Sequence, residues 1–193
     1  MRRLARMMAV LAALAPVGLA REAAAEVIER SEDHFVLRYA SAMKAPAEDV
    51  WGAVGDLPLW WNPDHTYTGD VANLTLSLTP GGCFCEKLAD GTTFEHGVVR
   101  EADPETGVLF EAALGPLKGK TTLARWEFGW TGSGGEVVMS YVVRGAGLGA
   151  FADAVDGVMQ DQYGRLIHFI HYGEPPSDEP FAWPSTEGLK PGG

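Results

Sequence analysis

The residues of this sequence best suited to acid–base chemistry are a carboxylate and an imidazole on two neighbouring predicted strands. Glu86 and His96 flank Asp90-Gly91, a dipeptide that favours a hairpin turn. A two-residue turn pairs positions whose numbers sum to about 181, which places Glu86 opposite Glu95 with His96 diagonally near it. If buried, the pair could act as acid and base near neutral pH, with Tyr141 as a third catalytic group. If exposed, it would be a weak cross-strand contact.

Two cysteines lie two positions apart in the same strand pattern. Cys83 and Cys85, with His65, Glu86 and His96, offer enough ligand types for zinc. Their spacing matches no compact zinc pattern, so we predict no metal site. Residues two apart in a strand have Cα atoms about 6.6 Å apart, near the upper limit for a disulfide. A bridge therefore requires a bulge, and the favoured interpretation is two small buried hydrophobic side chains.

A tandem pair of tryptophans precedes a predicted loop. Adjacent helical residues diverge by about 100°, so one indole is expected to seal the core while the other is partly exposed. Alternatively Trp60 and Trp61 form the rim of a cavity entrance, with Asn62 to Tyr67 as its flexible lip. A weaker alternative makes the pair a contact patch for another protein.

The predicted ligand-binding residues are Trp60, Trp61, His65, Tyr67, Trp126, Phe128, Met159 and Gln162.

The longest helical pattern runs from Gly149 to Tyr172 and ends before Gly173 and Pro175. One face of this helix is apolar, and the opposite face carries Asp153, Gln160, Asp161 and His171. The apolar stripe comprises Phe151, Val155, Val158, Met159, Leu166, Phe169 and Ile170. Gln162 lies inside that stripe, and a buried amide needs hydrogen-bond partners. Either a backbone carbonyl of the sheet satisfies it, or it faces a cavity and orients a ligand.

The remaining elements are mostly strands joined by hairpin turns. One strand is followed by two short helices, Pro46 to Val54 and Leu57 to Trp61. The rows Trp126, Phe128, Trp130 and Val137, Met139, Tyr141, Val143 alternate onto single faces of their strands. Successive hairpins predict an antiparallel sheet, which can curve around one helix. The predicted strands are His34 to Lys44, Leu74 to Leu78, Cys83 to Leu88, Thr93 to Glu101, Val108 to Leu114, Lys120 to Trp130 and Glu136 to Arg144.

The order of these elements resembles the START-related superfamily, also called SRPBCC, over about residues 33–172. The resemblance is carried by Ala45-Pro46-Ala47-Glu48-Asp49-Val50-Trp51, by Asp56-Leu57-Pro58-Leu59-Trp60-Trp61, by Pro80-Gly81-Gly82 and by the closing helix with Asp156, Gln162 and Leu166. It implies an α+β helix-grip fold, in which a seven-stranded curved antiparallel sheet closes around a long C-terminal helix and leaves an apolar cavity. The strand count from the residues is also seven.

The resemblance implies a cavity but no single activity, since fold does not imply function. The first hypothesis is a protein that binds a small apolar or amphipathic ligand. The second is a cofactor-independent enzyme of the cyclase or dehydratase type that uses Glu86, His96 and Tyr141. Dinucleotide and phosphate-binding glycine motifs, a G-x-S-x-G elbow and an H-E-x-x-H pair are absent from the sequence, so we predict no cofactor.

The two ends of the chain differ in composition from the predicted domain, 26–173. Residues 1–25 combine arginines, a short apolar run and small residues, the pattern of a secretory signal peptide cut after Ala25, with Ala20 as second choice. An uncleaved anchor is the alternative. Residues 174–193 form a proline-rich tail that we predict to be flexible. Cleavage takes four arginines and one glutamate from the 15 basic and 26 acidic residues and leaves a net charge of −14.

That acidic charge argues against nucleic acid and anionic membrane surfaces as partners. The apolar run within residues 1–25 is too short to span a bilayer as an ordinary membrane helix. No integral membrane segment is predicted after signal removal. The signal predicts a periplasmic or secreted protein. The oligomeric state is left open.

Overall fold

The structure, a computed structural model, describes residues 24–132 and 135–177, which contain a single eight-stranded antiparallel sheet. Its strands are Ala24–Arg30 (β1), His34–Ala42 (β2), Leu74–Leu76 (β3), Cys83–Lys87 (β4), Thr93–Asp103 (β5), Gly107–Glu111 (β6), Leu123–Trp130 (β7) and Glu136–Arg144 (β8). They are ordered β1-β2-β8-β7-β6-β5-β4-β3. Most of the predicted signal segment and the tail beyond residue 177 lie outside the described residues.

The helix-grip fold class is confirmed, but the sheet has one strand more than the seven predicted. The predicted strands begin at His34, whereas β1 precedes that residue and pairs antiparallel with β2, for example Val27 with Leu37. A strand at a sheet edge needs only one side covered, so it tolerates charged residues. Val27 packs against the core while Ile28 is exposed. The mixed composition of β1 gives it no hydrophobic alternation, the pattern that identifies the other strands.

Side-chain alternation in the long strands agrees with the prediction. In β2 and β8 every second residue is buried, and the tryptophan-rich β7 follows the same period. β8 pairs with β2 on one side and with β7 on the other. The buried rows of these three strands therefore form one continuous apolar surface, which faces the long helix.

Two α-helices and several short 3₁₀ turns complete the part of the domain that the structure describes. The first helix, α1, spans Ala47–Gly55, and a 3₁₀ turn at Leu57–Leu59 stands where the second short helix was predicted. The long helix, α2, spans Ala152–Tyr172 and ends at Gly173, whose φ of 70° gives a left-handed cap. Tyr163 fixes α2 to the sheet by donating a hydrogen bond to the carbonyl of Val137 at 2.7 Å. No described helix has both the length and the apolar character needed to cross a membrane.

The hairpin between β4 and β5 differs from the prediction by one residue. The backbone N–H of Leu88 bonds to the carbonyl of Thr92, so the loop has three residues and ends at Gly91 with φ +84°. A three-residue loop of this kind uses glycine at its left-handed position. The pairs near the turn therefore sum to 180, as in Glu86 opposite Phe94.

A β-bulge follows in β5. Cys85 lies opposite Glu95 and Phe84 opposite Gly97, so His96 is the extra residue of the bulge. Facing the bulge, the Cα atoms of Cys83 and Cys85 lie 5.4 Å apart and the two cysteines form a disulfide. Both are half-buried, so the interpretation as two buried free hydrophobes is wrong, and the stated condition for a bridge, a bulge, is met.

Candidate functional site

A cavity of about 530 Å³ lies between α2, the loop that follows the tandem tryptophans, and the turn after β6. We call residues Trp61–Tyr67 the entrance loop. Two of the residues that line the cavity, Tyr67 and Phe151, are exposed, so the cavity reaches the surface. The lining residues are Trp61, Asp64, His65, Thr66, Tyr67, His96, Leu114, Gly115, Pro116, Leu117, Phe151, Ala154, Val155, Val158 and Met159.

The first half of α2 forms one apolar wall. Its contribution is Ala154, Val155, Val158 and Met159, a helical spacing that places all four on one face. Further along the same face Leu166 is buried in the core. The apolar stripe predicted from the sequence is therefore divided: its second half packs against the sheet, and its first half faces open space.

The entrance loop is held at its start by polar side chains of α2, which we call the helix anchor. Asn62 donates its side-chain amide to Asp161 at 2.8 Å, and its backbone N–H donates to Oε1 of Gln162 at 3.1 Å. One turn later Nε of Arg165 donates to the carbonyl of Trp60 at 2.8 Å. Asp161 was predicted on the outer face of the helix but is 8% exposed because the loop covers it.

The other end of the entrance loop is held by a single carboxylate, which we call the sheet anchor. Glu86 is fully buried and accepts the backbone N–H of Tyr67 at 3.1 Å and that of Thr68 at 2.7 Å. The Thr68 hydroxyl donates to it at 2.8 Å, and Nε2 of His96 lies 2.9 Å from its other oxygen. Four hydrogen bonds therefore converge on one side chain.

Those bonds determine the charge state of the pair. Burial raises the pKa of Glu86, but the bonds from Tyr67, Thr68 and His96 outweigh it and lower the pKa below its ordinary value. Burial lowers the pKa of His96, and Lys118 adds to this, although Glu86 acts in the opposite direction. At neutral pH the carboxylate is ionised and the imidazole is neutral. Since an ionised carboxylate only accepts, Nε2 carries the proton and Nδ1 carries the lone pair.

The bulge and the aromatic contacts orient the His96 ring. Because Glu86 lies opposite Phe94, His96, two residues further along β5, shares the inner side of the sheet with Glu86. The predicted register would have placed Glu86 opposite Glu95 instead. The ring stacks on Phe84 at a centroid distance of 4.6 Å and on Tyr67 at 5.6 Å. This is a base oriented by a second group at a cavity wall, the arrangement general acid–base chemistry requires.

Tyr141, the third predicted catalytic residue, lies away from the cavity. Its hydroxyl donates to the carbonyl of Ala112 at 2.8 Å and accepts the backbone N–H of Leu114 at 3.1 Å. Burial raises its pKa, so the phenol stays protonated. The role that the structure gives it is to hold the turn Leu114–Leu117, which forms the cavity wall opposite α2.

The predicted ligand-binding residues divide into two groups. Trp61, His65, Tyr67 and Met159 line the cavity, as does His96 from the predicted catalytic set. Trp60, Trp126, Phe128 and Gln162 are buried in the core and do not line it. Trp60 is 1% and Trp61 is 5% exposed, so neither forms the exposed contact patch for another protein considered above.

Several lining residues were not predicted, and only some had a signal in the sequence. The apolar stripe of α2 indicated Val155 and Val158, since it identified a face that must be covered. For Leu114–Leu117 the sequence predicts only that a strand ends at Leu114, because nothing local shows which turn faces which helix. Among the described residues, no group of three or more His, Cys, Asp or Glu side chains is arranged to hold a metal ion.

Comparison with known proteins supports the fold assignment. No protein-family model and no curated protein matches the sequence. Among solved structures, a conserved protein of unknown function, EF2215 from Enterococcus faecalis, aligns with a TM-score of 0.55 and 10% identity over 82% of each chain. DynU16, a protein in the dynemicin biosynthetic locus, aligns with a TM-score of 0.50 and 21% identity over 72% of this chain.

A third similar structure is the di-domain ARO/CYC protein BexL from the BE-7585A biosynthetic pathway. It aligns with a TM-score of 0.50 and 17% identity over 82% of this chain. The alignments span 48% of DynU16 and 53% of BexL, about half of each. At these identities the likeness establishes the helix-grip fold and leaves the activity to the chain's own residues.

Proposed function

We propose that this chain is an exported binding protein that holds a small hydrophobic or amphipathic molecule of lipid, polyketide or aromatic type. The observation that carries the proposal is the apolar cavity of about 530 Å³ between the entrance loop and α2. Ligand pockets in proteins are typically about 300–1,000 Å³, mostly apolar, with a few placed polar groups. Similar folds occur in DynU16, from the dynemicin biosynthetic locus, and in the ARO/CYC protein BexL, from the BE-7585A biosynthetic pathway, which agrees with a role in holding a small organic molecule.

The distribution of polar groups favours an amphipathic ligand. The α2 wall is apolar, whereas Asp64, Thr66 and His96 lie on the side of the entrance loop and the sheet. An apolar body can pack against α2 while a hydroxyl of the ligand donates to Nδ1 of His96.

The binding proposal can be tested by filling the cavity. Ala154 is exposed and lines the cavity, so Ala154→Trp places an indole there without disturbing the core. We expect this variant to bind 1-anilinonaphthalene-8-sulfonate about tenfold more weakly than the parent in a fluorescence titration. Ala42→Trp makes the same change at an exposed position outside the cavity and is expected to bind like the parent. Circular dichroism verifies that both variants fold, and equal affinity in all three proteins would contradict the proposal.

A second candidate function is cofactor-independent acid–base catalysis in the same cavity. The observation that favours it is the neutral imidazole of His96 at the cavity wall, oriented by the ionised Glu86. Alanine replacement of Glu86 would not separate the two functions, because that carboxylate also holds the entrance loop. His96→Gln keeps an N–H donor for Glu86 and removes the base. We expect it to retain probe binding in either case, and to abolish turnover of any substrate the protein converts.

Export is also a proposal, and the disulfide between Cys83 and Cys85 supports it because disulfides persist in oxidising compartments. Ala24 and Ala25 pair with Ala40 and Tyr39, so cleavage after Ala20 would leave β1 whole. The test is the intact mass of the protein recovered from a periplasmic fraction. Loss of the first 20 or 25 residues is expected, and a full-length mass in the membrane fraction would indicate an uncleaved anchor.

A further inference from the structure

Two buried hydrogen-bond donors near the cavity have no partner. Within the described residues, Nε1 of Trp126 and Nε2 of Gln162 are inaccessible to solvent and make no hydrogen bond. Buried polar side chains nearly always have a partner, so each exception requires an explanation. Both atoms are donors and neither carries a charge.

Trp61 connects the cavity to both donors. Its indole lines the cavity and lies against the ring of Trp126 at a centroid distance of 5.9 Å. Gln162 accepts a hydrogen bond from the backbone N–H of Asn62, the residue next to Trp61. The indole makes one hydrogen bond of its own, from Nε1 to the carbonyl of His65 within the entrance loop. Rotation of this side chain therefore breaks a single polar contact.

The position of Gln162 along α2 also places it close to the cavity. Met159 lines the cavity, and Gln162 follows three residues later on the same helical face. Beyond it Leu166 is buried against the core. Gln162 thus lies about one helical turn beyond Met159, between the cavity lining and the buried Leu166.

We propose an inner subsite behind Trp61, in which Trp126 and Gln162 donate hydrogen bonds to an uncharged oxygen of the ligand. This inference rests on the proposed binding function and narrows its ligand class to hydrophobic molecules that carry a carbonyl or a similar acceptor. When the Trp61 indole turns away from Trp126, the cavity extends to the two donors. An acceptor placed there satisfies groups that are otherwise desolvated without compensation.

The test compares two probes of similar shape, 2-acetylnaphthalene and 2-isopropylnaphthalene, by isothermal titration calorimetry on the full chain. The measured quantity is the ratio of their affinities, ketone over hydrocarbon. Trp126→Phe removes one donor, and we expect it to lower this ratio about tenfold. Gln162→Met removes the other and is expected to change the ratio in the same direction.

Trp130→Phe is the matched control. Trp130 lies on the same strand as Trp126 and on the same buried face, but its Nε1 already donates to the carbonyl of Pro104 at 3.1 Å. We expect it to leave the ratio unchanged. If both probes bind and the ratio is the same in all variants, the subsite is refuted while the cavity proposal stands. If neither probe binds the parent protein, both proposals are refuted.

Discussion

The two ends of the entrance loop are held by anchors of different chemistry. The helix anchor spreads its hydrogen bonds over three side chains of α2, those of Asp161, Gln162 and Arg165. The sheet anchor brings four donors to one ionised carboxylate, Glu86. The loop between them contributes five of the cavity's polar or aromatic lining residues, which are Trp61 and the four from Asp64 to Tyr67.

This difference predicts how the stability of the protein should respond to mutation at each end of the entrance loop. In a distributed anchor, loss of one side chain leaves the remaining bonds in place. In a convergent anchor, loss of the one acceptor leaves every donor without a partner, and buried donors without partners are costly. The sheet anchor also joins the loop to His96, so the charge of that pair and the position of the cavity wall are coupled.

The largest expected effect is that of Glu86→Ala. The change leaves the backbone N–H groups of Tyr67 and Thr68 without their acceptor and the imidazole of His96 without its partner. We expect the free energy of unfolding to fall by about 3 kcal/mol, measured by urea denaturation. The affinity for 1-anilinonaphthalene-8-sulfonate should fall as well, because the entrance loop is released from the sheet.

Glu127→Ala provides the control for that variant. Glu127 lies exposed on β7, and its replacement should change the stability by no more than about 0.5 kcal/mol. A similar small loss for Glu86→Ala would mean that the carboxylate is not what holds the loop.

Asn62→Ala is expected to have a smaller effect on the helix anchor. The variant loses the bond to Asp161 and the acceptor for the backbone N–H of Asp64. Its own backbone N–H still donates to Gln162, and Arg165 still holds the carbonyl of Trp60. We expect a loss of about 1–2 kcal/mol by the same urea measurement. A loss as large as that of Glu86→Ala would erase the distinction between the two anchors.

The parts of the fold that the sequence predicts are those with a periodic signal. The alternation of Trp126, Phe128 and Trp130 and the second half of the apolar stripe of α2 correspond to buried faces, since both patterns arise from the need to cover apolar surface. The edge strand β1 has no such need on its outer side and shows no such pattern. For that reason the strand count was one too low.

The site was harder to predict because its geometry depends on one-residue differences. A two-residue loop at Asp90-Gly91 and a three-residue loop that ends at Gly91 share the same dipeptide, but they place Glu86 opposite different residues. The bulge that inserts His96 has no sequence signature, and the donors from Tyr67 and Thr68 are backbone groups that every residue carries. The residue types of the pair were identified, whereas their burial and their shared face required the structure.

The smallest expected effect is the dependence of stability on pH, and it arises at the sheet anchor. The pKa of His96 is lowered in the folded protein, so the unfolded chain binds its proton first as the pH falls below the ordinary value of 6.5. Stability should therefore begin to decrease in that range. The pKa of Glu86 is also lowered, so its contribution is complete above the ordinary value of 4.5 and is lost as the pH falls through the folded value.

The two steps can be separated by His96→Gln, because glutamine does not titrate. Urea midpoints measured from pH 7.5 to pH 3 should decrease in both proteins at the acidic end, where Glu86 is protonated. Only the parent should also lose stability between about pH 6.5 and pH 5. A parent protein that gains stability in that interval would show that the imidazole prefers its charged form beside Glu86. The sheet anchor would then be an ion pair, and His96 could not serve as a neutral base at the cavity wall.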